Sequence, residues 1–274
     1  MALSPAVVNR IAAGEVIHRP ASALKELLEN AVDARATKVA VQLRDGGLHT
    51  LQITDNGCGI RVADYPILCE RFTTSKLQEY SDLRDIATFG FRGEALASIT
   101  HVAHVSITSM VRGAQCAYKA SFSDGRMINP LNAADTAVSP KPCAGVQGTV
   151  VHVEDLFYNV PIRRTALRNA HSEEYARCLD VLCKYAVHYA GRVSLSCKKI
   201  GQNKLDLNTP LNATTVDNIR SIYGASIAKE LLPLQLRLDA VACLARGIES
   251  SLLHVDGWVS NANYSQKKLQ LLKV

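Results

Sequence analysis

The feature that most constrains this chain is a predicted helix near residues 24–34 that carries polar groups on one side only. At about 100° per residue, one arc of this helix holds only apolar side chains. Those side chains are Leu24, Leu27, Leu28, Ala31 and Ala34. The opposite side carries Glu26, Asn30 and Asp33, with Glu26 and Asn30 about one turn apart. Such a helix can bury one face in a core and line a cleft with the other.

A β-hairpin is predicted directly after this helix. Apolar and polar residues alternate across residues 39–53, and Asp45-Gly46-Gly47 interrupts the alternation with the residues of a tight turn. The second strand ends at Asp55, and Gly57 and Gly59 follow it. Because glycine has no Cβ, a backbone of this composition can approach a ligand closely. Asp55 is therefore a candidate ligand contact at the end of a strand.

Two further segments have the composition of ligand-binding loops. Gly90 and Gly93 precede a predicted helix, whose free backbone N–H groups and positive dipole end favour a phosphate group. Residues 60–89 are less regular, and they include the hydroxyl-rich and charged stretch at residues 71–76. We expect this region to form a mobile lid.

Together these segments carry the groups that hydrolysis of a phosphoanhydride needs: a base for water, a cation on the phosphates, donors around them and a contact for the nucleobase. Glu26 is the candidate general base, because a carboxylate in a partly dry cleft can orient and polarise water. Asn30 is the candidate Mg²⁺ ligand, since Mg²⁺ prefers oxygen ligands. Asp55 is the candidate acceptor for an exocyclic amine such as that of adenine.

Each segment taken alone has an ordinary explanation. Glu26 and Asn30 fit a solvated helix face, and Asp55-Asn56-Gly57 fits an ordinary turn. The combination favours nucleotide chemistry, because together the segments supply every role that a hydrolysis mechanism needs. These segments are the acid and amide on a helix, the aspartate at a strand end and the glycine loop. Other nucleotide classes fit less well, since the sequence has no G-x-x-x-x-G-K-[ST] loop and the segment after Gly57 lacks the third glycine of a dinucleotide fingerprint.

Size and composition bound the remaining possibilities. The chain has 274 residues, 47% hydrophobic and 20% charged, and we expect two domains with a boundary near residue 205. No apolar run approaches the roughly eighteen residues of a membrane span, and the first ten residues do not resemble a secretory signal, so an intracellular protein without a membrane partner is expected. The eight cysteines are expected to be mostly buried, reduced thiols.

The net charge of +6 is compatible with an anionic partner such as nucleic acid, although many proteins with a similar excess bind none. Three basic groups are candidate contributors, and each also fits a solvated surface. They lie at residues 163–168, 198–204 and 267–268.

The rest of the chain predicts a mixture of strands and helices. The patterns are strands at residues 102–128, 148–153 and 193–198, and a helix at residues 172–190. Residues 129–145 are small and polar and contain proline, which predicts a surface loop. Beyond the boundary near residue 205, the pattern restarts with a helix at 216–223 and a strand that ends near Trp258.

The candidate site segments resemble the ATPase family that groups DNA gyrase B subunits, heat-shock chaperones, sensor histidine kinases and MutL mismatch-repair proteins. The E-x-x-x-N motif of that family matches Glu26 to Asn30. Its D-x-G-x-G motif matches Asp55, Gly57 and Gly59.

Longer strings resemble MutL proteins specifically, and they lie at residues 9–17, 71–76 and 90–99. Others resemble the eukaryotic subunit that all MutL heterodimers share, and they lie at residues 141–145, 154–159 and 261–265. The similarity covers nearly the whole chain.

This resemblance implies an α/β fold in which residues 1–204 form an ATPase domain, a two-layer α/β sandwich. Residues 205–274 would form part of a second, ribosomal-protein-like domain called a transducer. The implied cofactors are ATP and Mg²⁺, with Glu26 as the general base and Asn30 as the metal ligand. The implied nucleotide-binding positions are Asn30, Asp33, Asp55, Gly57, Gly59, Thr74, Ser75, Lys76, Gly90, Phe91, Arg92, Gly93, Glu94, Ala95, Leu96 and Thr149.

The resemblance also implies a function and partners. Family members bind ATP, close a lid, dimerise through their N-terminal regions around or beside DNA, and reopen on hydrolysis. By this analogy the chain is an ATPase subunit of a mismatch-repair clamp in the nucleus. The implied partners are a second MutL homologue in a heterodimer, DNA, and a MutS-type mismatch recognition protein.

Two departures from the family pattern are visible. In the family, a lysine farther along the transducer reaches the terminal phosphate, and no lysine before Val274 is assigned that role, including Lys267, Lys268 and Lys273. The alternative function is therefore a nucleotide-binding module with little turnover. Residues 130–139 are longer than the family usually carries there, and we interpret them as a tolerated loop insertion.

Overall fold

The computed structural model of the chain describes residues 5–73, 88–90, 93–132, 138–238 and 253–264. The helices are α1 (Pro5–Val16), α2 (Pro20–Asp33), α3 (Ala95–Val102), α4 (Pro161–Asn169), α5 (His171–His188), α6 (Thr215–Tyr223) and α7 (Ala225–Lys229). The strands are β1 (Lys38–Arg44), β2 (Thr50–Asp55), β3 (His104–Met110), β4 (Ala117–Ser123), β5 (Arg126–Ile128), β6 (Lys141–Cys143), β7 (Gly148–Glu154), β8 (Ser194–Lys199), β9 (Leu207–Asn208), β10 (Leu231–Leu238) and β11 (Leu253–Ser260). Two short 3-10 helices occupy Asp45–Gly47 and Val62–Ile67.

The strands β1 to β9 form one sheet, whose order brings distant segments together. The order is β5-β4-β3-β7-β2-β1-β8-β9, and β6 pairs with β4. Neighbouring strands are antiparallel except for β1 and β8, which are parallel. The predicted hairpin is confirmed as β1 and β2. Because β7 lies between β2 and β3, Asp55 at the end of β2 lies opposite Thr149.

One face of this sheet is covered by helices, and the hydrophobic core lies between the two layers. Val39, Val41 and Leu43 of β1 are at most 1% exposed on that face. Residues of α1, α2, α3 and α5 join them in one hydrophobic cluster. On the opposite face, the alternate side chains of the same strands are mostly polar and only partly buried or exposed. This arrangement confirms the predicted α/β fold with a sheet layer and a helix layer.

The helix α2 has the predicted two-sided character. Leu24, Leu27 and Leu28 are buried against the sheet, and Pro20 begins the first turn, where its missing N–H is not needed. Ala34 differs from the prediction, because it lies just after the helix as its C-cap residue. The residues of the predicted polar stripe remain partly exposed on the other side of the helix.

Several predicted elements have different bounds in the structure. Val102 ends α3, and the strand predicted from residue 102 starts only at His104. The predicted surface loop at 129–145 contains β6, which forms by pairing with β4. The sequence did not predict this strand, because three residues are too few to show an alternating pattern. The predicted helix at 172–190 is confirmed as α5, and α4 precedes it as a separate helix.

A second, smaller hydrophobic cluster forms against the end of α5. Ile219 of α6 and Ile227 of α7 are buried in it with Val187 of α5. The side chain of Asn218 donates a hydrogen bond of 2.8 Å to the carbonyl of Ala186, which fixes α6 to α5. The sheet includes residues 207 and 208 as β9, so it continues past residue 205. The domain boundary near residue 205 stays a prediction.

The cysteines of the described residues are free thiols, and four of the seven are buried. Burial raises the pKa of Cys183 and of Cys197 to about 11, so both remain protonated at neutral pH. Cys243 lies outside the described residues. No helix within the described ranges combines the length and apolar character needed to cross a bilayer.

Candidate functional site

A cavity of about 750 Å³ lies between α2 and the two glycine segments, a size typical of small-molecule sites. We call it the α2 cleft. One wall is the polar side of α2, a second is the segment after β2, and the third is the loop that leads into α3. The predicted site residues that line it are Glu26, Asn30, Gly59, Gly90, Gly93, Glu94, Ala95 and Leu96. The structure thus brings together three segments that are separate in the sequence.

Glu26 lies in this cleft beside a lysine and a second carboxylate that the sequence analysis did not single out. Lys25 Nζ is 2.8 Å from the Glu29 carboxylate and 3.8 Å from Glu26 Oε1. The Glu29 side chain is only 9% exposed, whereas that of Glu26 is 32% exposed. Glu29 is therefore the buried anchor of Lys25, and Glu26 keeps access to water in the cleft.

Tyr185 of α5 holds Glu29 from the core side. Its hydroxyl donates a short hydrogen bond to Glu29 Oε1. Burial, together with this bond to an acid, raises the pKa of Tyr185 above its ordinary value, so the phenol stays protonated and remains a donor. Glu29 thus receives a neutral donor from α5 and a charged donor from Lys25, which compensates the burial of its charge.

Aromatic rings connect the loop before α3 to the same place. Phe89 lies 6.1 Å from the ring centre of Tyr185 and 6.2 Å from that of Tyr189. The two tyrosine rings are stacked, with centres 6.2 Å apart. The backbone next to Gly90 is therefore packed on α5 as well as on α2.

Asp33 contacts that same loop through its carboxylate. The two oxygens accept hydrogen bonds of 3.0 Å from the backbone N–H groups of Phe89 and Gly90. Asp33 does not line the cleft, so its predicted contact with a nucleotide stays a prediction. The geometry gives it a positioning contact, because it ties the last turn of α2 to the glycine loop.

Asp55 lies at the end of β2, beside the cleft rather than in its lining. Burial raises the pKa of its carboxyl above the ordinary value, and backbone N–H groups of Gly57 and Thr149 act in the opposite direction. The Gly57 N–H donates to Asp55 Oδ1 at 2.7 Å. Thr149 is in turn bonded to Ser109, with 2.9 Å between the two hydroxyl oxygens. Gly57, Thr149 and Asp55 therefore form one group at the strand ends.

Gly59 connects the group at Asp55 to the segment after β2 that lines the α2 cleft. Its φ is +76°, and a Cβ built on it would lie 2.3 Å from the carbonyl oxygen of Met110. No side chain fits at that distance, so the close approach of the two backbones requires glycine. The next residue, Ile60, donates its N–H to Ser109 Oγ at 2.9 Å.

Arg71 joins the three strings that resemble MutL proteins. Its guanidinium donates to Glu94 Oε1 at 3.0 and 3.2 Å, and to Asn9 Oδ1 at 3.4 Å. Glu94 is the N-cap residue of α3, and Asn9 belongs to α1. The start of α3 is thus tied to α1 and to Arg71, which belongs to the region predicted as the lid.

Five predicted positions lie outside the described residues: Thr74, Ser75, Lys76, Phe91 and Arg92. Their roles stay predictions. The sequence analysis missed Lys25, Glu29, Tyr185 and Arg71 as members of the site. The i,i+4 spacing of Lys25 and Glu29 is the one signal that could have indicated their contact, since Tyr185 lies 156 residues from its partner Glu29.

Comparison with known proteins identifies the family to which the chain belongs. Residues 18–137 match the family described as histidine kinase-, DNA gyrase B- and HSP90-like ATPase. Over 97% of its length the chain is 46% identical to DNA mismatch repair protein MLH1 of Saccharomyces cerevisiae, and it spans 32% of that protein. It is 35% identical to DNA mismatch repair protein MutL of Pseudomonas fluorescens over 98% of its length, which is 39% of that protein. The chain belongs to the MutL family.

Solved structures agree with this assignment. A structure described as the N terminal domain of a DNA repair protein matches 92% of the chain and 71% of its own length, with a TM-score of 0.74 and 29% identity. The fold is also that of the Aquifex aeolicus MutL ATPase domain complexed with ADP, with a TM-score of 0.58 and 22% identity over 82% of the chain and 74% of that domain. The chain spans about a third of the length of the MutL relatives that it matches.

Replacing Gly59 in this MutL-family chain tests the close approach at the cleft wall. We expect Gly59→Ala to lower the free energy of unfolding by about 3 kcal/mol or more, because the new Cβ meets a backbone oxygen. Gly113→Ala is the matched control, since Gly113 also has a positive φ of +80° but has nothing within 4 Å of its Cβ position. Gly113→Ala should lower the free energy of unfolding by about 1 kcal/mol, which is the cost of placing an alanine at a positive φ. Equal losses in urea unfolding would contradict the steric explanation.

A second test concerns the anchor of Glu29. Tyr185→Phe removes one hydroxyl, and we expect it to lower the free energy of unfolding by about 1.5 to 3 kcal/mol, because a buried carboxylate loses a donor. Tyr189→Phe is the control, since Tyr189 belongs to the same stack and forms no side-chain hydrogen bond with any other described residue. It should change stability by less than about 0.5 kcal/mol. The hydrogen bond has no energetic role if both variants unfold at the same urea concentration.

Proposed function

We propose that this chain is the ATP-hydrolysing part of a MutL-type DNA mismatch-repair protein, with ATP and Mg²⁺ as its cofactors. The observation that carries the proposal is the position of Glu26 and Asn30. Both project from one side of α2 into the α2 cleft, and the opposite wall is a glycine loop that opens α3. The candidate base, metal ligand and phosphate donors would then share one cavity, with the candidate contact for the nucleobase beside it.

Glu26 would act as the general base. Its carboxylate is one-third exposed, so a water molecule can reach it, and Lys25 Nζ lies 3.8 Å from its Oε1. A carboxylate so placed can accept a proton from an attacking water and orient its lone pair toward phosphorus. Glu29 and Tyr185 would support this step indirectly, because they hold Lys25 in place.

The phosphates would lie between α2 and the start of α3. The backbone N–H groups in the first turn of α3 have no partners within the helix, and they favour an anion there. Asn30 offers an amide oxygen on the facing wall, which is a suitable ligand for Mg²⁺. When bound, Mg²⁺ would offset the charge of the phosphate oxygens.

Asp55 would recognise the adenine ring. An ionised carboxylate can accept more hydrogen bonds than the one it receives from Gly57, so it can also accept from the exocyclic amine of adenine. Gly57, Gly59 and Thr149 would complete this end of the site. Thr74, Ser75, Lys76, Phe91 and Arg92, which lie outside the described residues, stay predicted contacts of the nucleotide.

The family and the names of the relatives support the biological assignment. Relatives in yeast and bacteria are described as DNA mismatch repair proteins. We infer that the chain acts in a heterodimer with a second MutL homologue, on DNA, after recognition of the mismatch by a MutS-type protein, and in the nucleus. Residues 205–274 would begin the transducer domain. The alternative of a binding module with little turnover is not favoured, since residues 18–137 match an ATPase family and the candidate base and metal ligand line one cleft.

The role of Glu26 is tested by Glu26→Ala. We expect ATP hydrolysis to fall by about 100-fold or more, because the general base is removed, while ATP still binds. Steady-state hydrolysis and equilibrium binding of a labelled nucleotide should be measured together. Glu173→Ala, an exposed acid on α5, is the control and should leave both unchanged. Undiminished hydrolysis in the first variant would remove Glu26 from the mechanism.

The role of Asn30 is tested by the dependence of binding on Mg²⁺. Asn30→Ala should weaken nucleotide binding in the presence of Mg²⁺ by about tenfold and change it little in the presence of EDTA, because only the metal-dependent part of the affinity is lost. Asn169→Ala, on the exposed end of α4, is the control. An equal loss with and without Mg²⁺ would show that Asn30 contacts the nucleotide rather than the metal.

A further inference from the structure

Tyr185 contacts two walls of the α2 cleft without lining the cleft itself. Among the described residues, the lining includes none from α5, the helix that carries Tyr185. The Tyr185 hydroxyl nevertheless donates to Glu29 on the α2 wall, and its ring packs with Phe89 on the wall that leads into α3. Both of these partners line the cleft. One side chain outside the cavity therefore joins the wall of the candidate base to the wall of the glycine loop.

The hydroxyl of Tyr185 is connected to the candidate base through two charged side chains. Glu29 accepts from this hydroxyl and also from Lys25, whose Nζ lies 2.8 Å away. The same ammonium lies 3.8 Å from Glu26 Oε1, so it stands between two carboxylates, and its position depends on how strongly each one attracts it. Without the phenol, the buried Glu29 has one donor fewer. It would then draw Lys25 closer to itself and away from Glu26.

Glu26 is less restrained by packing than Glu29. Its side chain is 32% exposed, whereas that of Glu29 is 9% exposed. A general base must be held within hydrogen-bond reach of the attacking water, and a small displacement is enough to slow the reaction. A shift of Lys25 is therefore expected to slow hydrolysis without changing how the nucleotide is bound.

The ring of Tyr185 is connected to the glycine loop. Its centre lies 6.1 Å from that of Phe89, and the backbone N–H groups of Phe89 and Gly90 donate to Asp33 at 3.0 Å. The loop is thus held from α2 by hydrogen bonds and from α5 by aromatic packing. Loss of the ring would remove the second restraint, and the loop would no longer be oriented in advance for a phosphate.

A second tyrosine on α5 has the same chemistry away from the cleft. Tyr175 lies about 15 Å from Tyr185 along the helix, and its hydroxyl donates to the carboxylate of Asp206. Burial, together with this bond to an acid, raises the pKa of Tyr175, as it does for Tyr185. Tyr175 and Asp206 are described residues outside the lining of the α2 cleft. Tyr175 is therefore a matched reference for the loss of a bond between a phenol and a carboxylate.

We propose that Tyr185 is a positioning residue of the ATPase site. Its hydroxyl orients the Glu26 carboxylate through the two charged side chains between them, and its ring holds the loop at Gly90. This inference rests on the proposed function, because it concerns the same hydrolysis. The two parts of the side chain have separate effects: the hydroxyl governs the rate of the chemical step, and the ring governs the affinity for the nucleotide.

The role of the hydroxyl is tested by Tyr185→Phe, which keeps the ring. Steady-state ATP hydrolysis and equilibrium binding of a labelled nucleotide should be measured at a temperature at which circular dichroism shows each variant to be folded. We expect kcat to fall by about tenfold and Kd to change by less than about twofold. Tyr175→Phe is the control, and it should leave both constants unchanged although it also removes a buried hydrogen bond.

The role of the ring is tested by Tyr185→Leu, which removes both parts of the side chain. We expect kcat to fall as in Tyr185→Phe, and Kd to rise by about tenfold in addition, because the glycine loop is no longer held from α5. An unchanged Kd in this variant would overturn the role of the ring.

The path from the hydroxyl to the base is tested by a double-mutant cycle with Glu29→Gln. If the hydroxyl acts through Glu29, adding Tyr185→Phe to Glu29→Gln should lower kcat no further. An additional tenfold loss would overturn this path. The positioning role fails if Tyr185→Phe hydrolyses ATP at the unsubstituted rate, or if Tyr175→Phe loses as much activity. Absence of hydrolysis in the unsubstituted chain would instead remove the proposed function, and this inference with it.

Discussion

The burial of the apolar arc of α2 against the sheet is the interaction on which the rest of the structure depends. Leu24 and Leu28 are completely buried, so the helix cannot rotate without exposing them. That constraint turns Glu26 and Asn30 toward the α2 cleft. It also places Glu29 between Lys25 and Tyr185, where a buried charge is compensated from both sides. Hydrophobic packing thus sets the direction of the polar groups that the proposed chemistry uses.

Carboxylates act as anchors around the cleft as well as candidates for catalysis. Asp33 holds the loop before α3 by two backbone N–H groups, and Glu94 accepts from Arg71 at the start of that helix. These bonds position loops that have little core of their own. Preorganisation of this kind matters for phosphate chemistry, because donors that are already oriented need no reorganisation when charge develops.

The two faces of the sheet differ in composition and in what covers them. One face carries Val39, Val41 and their neighbours, and it holds the helices that form the α2 cleft. The other face remains open, and it concentrates cations that have no acidic partners among the described residues. The alternation of side chains along each strand makes this division possible, because successive residues point to opposite sides.

Local patterns in the sequence were enough to predict α2, the β1–β2 hairpin, the glycine loops and the roles proposed for Glu26, Asn30 and Asp55. They determined these features because helical and strand periodicity and glycine chemistry act over a few residues. Only the tertiary structure decided that Tyr185 bonds Glu29, that Thr149 lies beside Asp55 and that β6 joins the sheet. These contacts join residues that lie tens to more than a hundred positions apart, and no local pattern records a pairing that exists only after the sheet has closed around its core.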